Sequence, residues 1–312
     1  MDTRQLKCFL KIVDTGSISR AAISLSISQP SLSQQLLRLE DELGVQLFHR
    51  GARGVTVTEA GRIFVEHARY ILHSNAQILE SLRGLKASAS GGVILAGPRS
   101  VIQRIGIPLF ETAWREAPDI ALRIGEAPTI HITSWIEDGK IDLGLVYDLG
   151  SWPNLTFRPL ASEELFLIGA PGAFDNQHAE SLPLRELKNF PLILPGLPHA
   201  LRQLLDREAA RLGFALNIVH EVEVLEMIAA LVARGHGHAI LPGPMISADV
   251  AAGHLDFQKI GGGALKRTLS LARNSTRTLT HASMVAEDLI TKVLHDAIAS
   301  GAWSAQALEG LR

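Results

Sequence analysis

The chain has 312 residues, of which 46% are hydrophobic and 20% charged, the balance of a globular protein with room for two or three domains. No run of about 18 uncharged apolar residues occurs, and charges interrupt the apolar N-terminal stretch, so we expect neither a membrane span nor a signal peptide. The single cysteine, Cys8, excludes an internal disulfide and predicts a core residue in a cytoplasmic protein.

Charge is distributed unevenly although the net charge is only −2. Residues 1–88 hold 11 Lys or Arg and 8 Asp or Glu, so this part has a net charge of +3, whereas the remainder has a net charge of −5. A mildly basic N-terminal part on an acidic body is a weak indication of a nucleic-acid partner.

The N-terminal part predicts three short helices and a hairpin. Apolar residues at helical spacing predict a helix over 3–14, ended by Gly16, and a second over 18–25. Ser28 is the predicted cap of a third helix that has Pro30 in its first turn and ends at Gly44. Two β-prone runs, 46–49 and 55–57, flank a Gly-Ala-Arg-Gly turn and predict a hairpin.

A long helix is predicted from the cap Thr58 to about residue 87. Its apolar residues recur every seven positions at Phe64, Ile71, Ile78 and Leu85, with Ala60, Ala68 and Leu82 beside them. This repeat favours packing against a partner's helix, and the alternative is an amphipathic helix lying on its own domain. The stretch SASGG at 88–92 is the predicted domain boundary.

Beyond that boundary, predicted strands alternate with predicted helices. The strands lie at 93–97, 120–124, 142–147, 165–169, 191–194, 216–222, 238–241 and 267–272, and the helices at 100–116, 129–139, 199–212, 225–234 and 281–299. Two βαβ groups predict two parallel-sheet lobes, with a ligand cleft where the chain crosses between them. The predicted domains are 1–58, 59–88 and 92–312, with lobe I at about 92–161 plus 268–312 and lobe II at about 162–267.

Residues 17–43 show the layout of a helix-turn-helix: a short helix, a tight break and a second helix with one polar side. That side offers short, amide and guanidinium side chains suited to base edges and phosphates in a major groove. The candidate DNA-binding residues, including two arginines at the hairpin, are Ser28, Gln29, Pro30, Ser31, Ser33, Gln34, Arg38, Arg50 and Arg53. A plain helical hairpin with a solvated polar face is the alternative that spacing alone leaves open.

A longer signature runs from Leu6 to Gly61, and through it the chain resembles the LysR-type transcriptional regulators. The matching residues are Phe9, Gly16, Ser17, Ala21, Ala22, the run Ser28-Gln29-Pro30-Ser31-Leu32-Ser33, Leu39-Glu40, Leu43-Gly44, Leu47-Phe48, Arg50, Arg53-Gly54, Thr58, Ala60 and Gly61. Ile18 and Val57 depart from it, where an aromatic residue and leucine are usual. Stretches such as EELFLIGAPG and GHGHAILP resemble the nitrogen-assimilation-control-like subset.

The resemblance implies an α/β protein with an N-terminal winged helix-turn-helix, a long linker helix and a C-terminal two-lobed, periplasmic-binding-protein-like effector domain. It also implies a homotetramer on an interrupted inverted-repeat operator, with RNA polymerase as a further partner. An effector would shift the population of lobe arrangements and so re-space the DNA-binding heads. The nitrogen-control subset leaves room for a regulator that needs no effector.

The resemblance also assigns the effector pocket. The matching positions are Arg99, Ser100, Thr129, His199, Ala200 and Arg202. The two arginines would favour an anionic ligand, and their alternative is a salt-bridged surface role; for Ser100 and Thr129 the alternative is helix capping. Pro128 and Gly196 depart from the related pattern, which weakens any transfer of effector identity.

The remaining motifs give little indication of a function. His236 and His238 have a spacing found in some metal sites but no third ligand near them in sequence, and the run 261–263 reads as a turn. No nucleophile motif is present, so we expect no enzyme, cofactor or metal. The rival functions are a small-molecule binding protein without a DNA-binding role and an α/β enzyme with an accessory helical domain.

Overall fold

The computed structural model describes residues 1–51, 54–83, 89–147, 152–174 and 181–308. The chain divides into two compact units, Met1–Lys86 and Ala87–Arg312. Among the helices in the described ranges, none is long and apolar enough to cross a bilayer.

In its described residues, the first unit contains four helices and a hairpin. Its elements are α1 (Thr3–Thr15), α2 (Ile18–Ser24), α3 (Gln29–Leu43), β1 (Phe48–Gly51), β2 (Gly54–Val57) and α4 (Glu59–Arg83). Local chemistry explains the boundaries, because side chains cap the three short helices and left-handed glycines end two of them. These elements confirm the predicted helices and hairpin, while residues 84–88, where the long helix was expected to end, lie outside the described ranges.

One apolar cluster joins all of these elements. Phe9 lies at its centre, with its ring centroid 5.2 Å from that of Phe48 and 4.9 Å from that of Phe64. Cys8 is buried, its thiol donates to the Gln35 amide oxygen at 3.1 Å, and burial raises the pKa of that thiol. Cys8 is therefore a core residue, as predicted.

The second unit begins with a βαβαβ arrangement. The elements are β3 (Gly91–Gly97), α5 (Arg99–Glu116), β4 (Ile120–Glu126), α6 (Thr129–Glu137) and β5 (Leu143–Tyr147). Strand β3 pairs in parallel with β4 on one side and β5 on the other. The long strand β6 (Leu155–Gly169) then leads into the second lobe.

The second lobe holds β7 (Leu192–Leu194), α7 (Ala200–Arg211), β8 (Ile218–Glu221), α8 (Leu225–Ala233), β9 (Ala239–Pro242), α9 (Gly243–Ala251) and β10 (Asp256–Lys259). The chain returns to the first lobe through β11 (Lys266–Asn274), α10 (His281–Ala299) and β12 (Gln306–Ala307). Each lobe has its own apolar core.

The expectation of two parallel sheets was wrong in part. Among the strands of the described ranges, β3–β4, β3–β5 and β7–β8 pair in parallel, whereas β6 pairs antiparallel with β9, β10, β11 and β12. Strand β6 is 15 residues long and belongs to both lobes, although its sequence predicted only 165–169. Antiparallel pairing follows because β6 leaves the first lobe and β11 returns to it. Helix α9 and strand β10 were not predicted.

Candidate DNA-reading surface and interlobe cavity

The polar side of α3 is open to solvent. Gln29, Gln34 and Arg38 are exposed, whereas Ser31 and Ser33 are half-buried. On the opposite side, the apolar residues Leu32, Leu36 and Leu39 are buried in the core. The predicted reading face is therefore a real surface of the helix.

The start of α3 is held in place by short polar contacts. Ser28 is the N-cap and its hydroxyl accepts from the Ser31 amide at 3.3 Å, while Pro30 occupies the first turn. The hydroxyl of Ser19, on α2, donates to the Gln29 amide oxygen at 3.3 Å. Ser26 has a φ of 54°, which makes the turn between the two helices tight. The N-terminal end of α3 is thereby positioned against α2.

The hairpin, or wing, is anchored by contacts between a buried side chain and its backbone. The carboxylate of Glu40, on α3, is buried and accepts from the Leu47 amide at 2.7 Å and the Phe48 amide at 3.3 Å. Arg50 lies on β1, and its side chain is outside the described part of the structure, as is the whole of Arg53. The structure thus places the wing but not its arginine side chains.

A cavity of about 530 Å³ lies between the two lobes of the second unit. From the first lobe it is lined by the segments that follow β3 and β4, and from the second lobe by the N-terminal ends of α7 and α8. The first amides of a helix lack carbonyl partners within it, so these ends carry N–H groups beside the cavity, although the Leu201 amide of α7 and the Met227 amide of α8 already have acceptors. The position matches the predicted cleft.

Five of the six pocket residues assigned from the resemblance line this cavity: Arg99, Ser100, Thr129, His199 and Ala200. Arg202 does not. Its guanidinium donates to Asp206 at 2.9 Å and to Glu221 at 2.6 Å. These ion pairs hold it against its own lobe, so Arg202 takes the salt-bridged role that was its alternative.

A buried charge pair that was not predicted from the sequence forms part of the cavity wall. Arg267 Nε donates to Glu163 at 2.6 Å, and the Trp303 indole N–H donates to the other oxygen of this carboxylate at 2.6 Å. Tyr147 lies with its ring 3.7 Å from the Arg267 guanidinium carbon, and burial raises the pKa of its phenol. Arg267 and Tyr147 line the cavity, while Glu163 and Trp303 lie behind them.

Three carboxylates also line the cavity, Glu126 from the first lobe and Glu223 and Glu226 from the second. Arg99 lies 3.7 Å from Glu126 and 4.0 Å from Glu226, so its ion pairs are long and join the two lobes. Arg99 and Arg202 were expected to favour an anion. The negative charge of these three carboxylates opposes that expectation.

His199 caps α7 in its neutral form. Its Nδ1 accepts from the Leu201 amide at 3.2 Å, which requires that nitrogen to be unprotonated. Burial, reinforced by the charge of Arg267, lowers the pKa of the imidazole. The ring is consequently uncharged at neutral pH and contributes a dipole to the cavity but no cation.

In the described ranges, the paired histidines before β9 belong to no group of three potential metal ligands. The ring of His238 packs against Phe190 and Phe174, and burial lowers its pKa. In the ranges that the structure describes, no three His, Cys, Asp or Glu side chains come together as metal ligands.

Two family profiles match the chain. The bacterial regulatory helix-turn-helix protein, lysR family, matches residues 3–62, and the LysR substrate binding domain matches residues 86–294. Together they cover both units that carry the surface and the cavity. The chain belongs to the LysR family of transcriptional regulators.

Relatives and solved structures agree with this assignment. The nitrogen assimilation regulatory protein nac of Escherichia coli is 29% identical over 298 residues, covering 94% of this chain and 95% of that protein. The regulator BbuR of Bordetella bronchiseptica is 29% identical over 97% of this chain and 93% of its own. The OxyR C206 mutant of Corynebacterium glutamicum has a TM-score of 0.63 at 26% identity, with 96% and 95% of the two chains covered.

A structure of full-length CbnR complexed with its target DNA has the same fold, with a TM-score of 0.65 at 23% identity over 94% of this chain and 100% of that one. The two family profiles, a helix-turn-helix and a substrate binding domain, make the LysR-type regulator a DNA-binding protein with an effector-binding domain, as predicted. Its relatives are transcriptional regulators and not enzymes, so the enzyme rival is rejected.

Three residues of the LysR signature, Glu40, Gly54 and Gly61, have a structural explanation. A Cβ on Gly61 would lie 2.2 Å from the Leu47 carbonyl oxygen, and one on Gly54 would lie 2.7 Å from the Gly16 carbonyl oxygen. Both glycines allow two backbone segments to touch, and Glu40 caps one of the same segments. These signature residues hold the wing of the regulator in position.

Proposed function

We propose that this regulator reads the major groove of its operator with α3 and contacts the adjacent backbone with its wing. The exposure of Gln29, Gln34 and Arg38 on one side of a helix whose other side is buried supports this assignment. Amide side chains bind adenine edges, and guanidinium groups bind guanine or phosphate. Ser28, Ser31 and the α3 N-terminus suit a phosphate.

The experiment is an electrophoretic mobility shift on the intergenic DNA upstream of the regulator's own gene. We expect Gln34→Ala and Arg38→Ala each to weaken binding about 5- to 100-fold, because each removes about 1–3 kcal/mol of contact energy. Arg211→Ala removes an exposed arginine from the second unit and is the matched control. Binding by the parent protein that lacks sequence preference or salt sensitivity would contradict the proposal.

We also propose that DNA binding responds to a small molecule in the interlobe cavity. Its hydrogen-bond-accepting group is received by Ser100, Thr129 and the helix N-termini beside them. Thr129 supports this role because it is only 7% exposed, and its hydroxyl accepts from the Tyr147 amide at 3.5 Å. No group in the described ranges accepts its hydroxyl hydrogen, which leaves this hydrogen available to a ligand.

Thr129→Ala tests the cavity. We expect at least a tenfold loss of effector potency in the mobility-shift assay, with unchanged DNA affinity in the absence of effector. Ser134→Ala, on the exposed side of the same helix, should leave the response unchanged. An identical effector response in Thr129→Ala and the parent protein would remove the cavity from the proposal.

We further propose that two protomers pair through α4, so that two α3 helices meet two half-sites of an inverted repeat, and that pairs of dimers form the tetramer. Ile78, at 62% exposure, supports this pairing because it continues the seven-residue repeat beyond the part buried in the domain core. Contact with RNA polymerase on the promoter is part of the same proposal.

A further inference from the structure

We propose that the effector carries a protonated amine as well as its accepting group, and that Glu223 and Glu226 bind this amine. This inference rests on the proposed role of the interlobe cavity as the effector site. The ligand class is a small zwitterion of the amino-acid type. Its accepting end meets the first lobe and its cationic end meets the second.

The balance of charge in the cavity supports a cationic group. Arg99 and Arg267 are the arginines of the lining, and Glu126, Glu223 and Glu226 are its carboxylates. The charge of Arg267 is already balanced by Glu163 directly behind it. In the described part of the lining, one arginine then faces three carboxylates, which leaves a formal charge of −2. A simple dicarboxylate would be repelled by this negative charge, whereas an ammonium group would be attracted to it.

The carboxylates of the second lobe have spare acceptor capacity. One oxygen of Glu223 accepts from the Gly196 amide at 3.2 Å, and in the described ranges its other oxygen accepts from no group. Glu226 has Arg99 at 4.0 Å, a distance at which an exposed pair is weak. Both acids therefore keep oxygens that an ammonium group with three donors can use.

The two glutamates belong to the segment that begins α8. Val224 is the N-cap of this helix and Leu225 its first residue, and both line the cavity beside the acids. Ile130 from the first lobe and Met245 from the second add further apolar surface. A ligand with a short hydrocarbon part between its two polar ends fits such a lining.

A bare metal ion is a poorer occupant. The three acids come from both lobes, and in the described ranges no three potential ligands are close enough together to hold a metal. An organic cation does not need such convergence, because each of its N–H groups can bind a separate acceptor.

A zwitterion would also connect binding to lobe arrangement. Thr129 and Ser100 lie on the first lobe, whereas Glu223 and Glu226 lie on the second. A ligand that contacts both pairs of residues binds best when the distance between the two pairs matches the distance between its own polar ends. It would therefore favour one arrangement over others, which is what an effector must do to change DNA binding.

The experiment compares three matched series of three to six carbons on the full-length protein: ω-amino acids, α,ω-diamines and α,ω-dicarboxylates, with L-lysine added. Thermal unfolding is followed by tryptophan fluorescence, since all four tryptophans lie in the second unit. We expect at least one amino acid to raise Tm at millimolar concentration and the dicarboxylates to leave it unchanged.

Variants then test whether Glu223 and Glu226 bind the amine of the ligand. Glu223→Gln and Glu226→Gln should each weaken binding of the stabilising compound about tenfold, because a charge-assisted hydrogen bond becomes a neutral one. Glu208→Gln, which alters a half-buried acid of α7 outside the cavity lining, should have no effect. The altered side chains line an open cavity, so the Tm of the unliganded variants should match the parent and show that they fold.

The outcomes separate the ligand class from the effector site. Stabilisation by dicarboxylates alone, lost in Thr129→Ala, would overturn the amine while the cavity remains the effector site. Binding of an amino acid that is equally tight in both glutamine variants would also overturn it. No stabilisation by any member of the three series would overturn the ligand class and count against the effector site itself.

Discussion

Single residues of this regulator show how strongly environment decides the role of a side chain. Arg202 and Arg267 are both arginines near the interlobe cavity, and only Arg202 was assigned to it from sequence. Arg202 is held by Asp206 and Glu221 on its own lobe, whereas Arg267 is 4% exposed and faces the cavity. The partner of Arg267, Glu163, lies about a hundred residues earlier, so no local pattern indicates the pair.

The Glu163–Arg267 pair leads to a prediction about stability. Glu163→Met or Arg267→Met should each lower the free energy of unfolding by about 3–5 kcal/mol, because each leaves an uncompensated buried charge. The double variant should be destabilised by less than the sum of the two, the remaining loss arising from the unmatched indole N–H of Trp303. Urea unfolding monitored by tryptophan fluorescence measures the cycle.

The surface pair Arg211–Glu208 provides the control cycle, since its side chains are 64% and 26% exposed, far more than those of the buried pair. Its coupling energy should be below about 1 kcal/mol. Strict additivity of the two Met substitutions at Glu163 and Arg267 would show that the buried pair is not energetically coupled.

At the scale of elements, the wing illustrates how backbone contacts determine where a short strand lies. The hairpin β1–β2 is too short to be stable alone. Glu40 caps the amides that lead into it, and Gly61 lets α4 approach the carbonyl of Leu47. The hairpin was predicted from its turn and β-prone runs, but the contacts that hold it are between distant segments.

Gly61→Ala tests this packing. Alanine normally stabilises a helix by about 1 kcal/mol over glycine, yet here we expect destabilisation by about 1–3 kcal/mol because the new methyl group meets a backbone oxygen. Gly106, in α5, is the matched control: its Cβ would lie 3.7 Å from Ile102, an ordinary contact. Gly106→Ala should be neutral or stabilising.

Unfolding followed by circular dichroism measures both glycine variants. The loss in Gly61→Ala should be accompanied by weaker DNA binding, because the wing shifts. Equal stability of the two alanine variants would mean that the approach of α4 to the wing does not constrain position 61.

At the scale of the whole molecule, the proposed pairing of protomers depends on which residues of α4 the domain core leaves exposed. Its first half packs on the domain core through Phe64, Ala68 and Ile71, which agrees with the amphipathic-helix alternative for that half. Ile78 is 62% exposed, and Leu82 and Leu85 lie outside the described side chains. The early residues of the seven-residue repeat thus pack in the domain core, whereas Ile78 is exposed and can contact a partner helix.

Ile78→Asp should weaken protomer pairing at least tenfold, because burying one isoleucine at an interface contributes about 1.5–3 kcal/mol and a buried carboxylate opposes it. Light scattering coupled to size exclusion measures the shift toward monomer. Ile23→Asp, at an even more exposed isoleucine of α2, should leave the mass unchanged. An unchanged mass in Ile78→Asp would place the dimer contact elsewhere.

The amino-acid sequence by itself determined the DNA-binding unit, because caps, left-handed glycines and helical apolar spacing act over a few residues. It also determined the alternation of strands and helices and, through the long signature, the LysR family. The tertiary structure alone decided the mixed sheet, in which β6 serves both lobes, and the lining of the cavity. Pairing partners and neighbouring charges there are separated by tens to hundreds of residues, so only the folded chain brings Arg267 to Glu163, and Glu223 and Glu226 to the side of the cavity opposite Thr129.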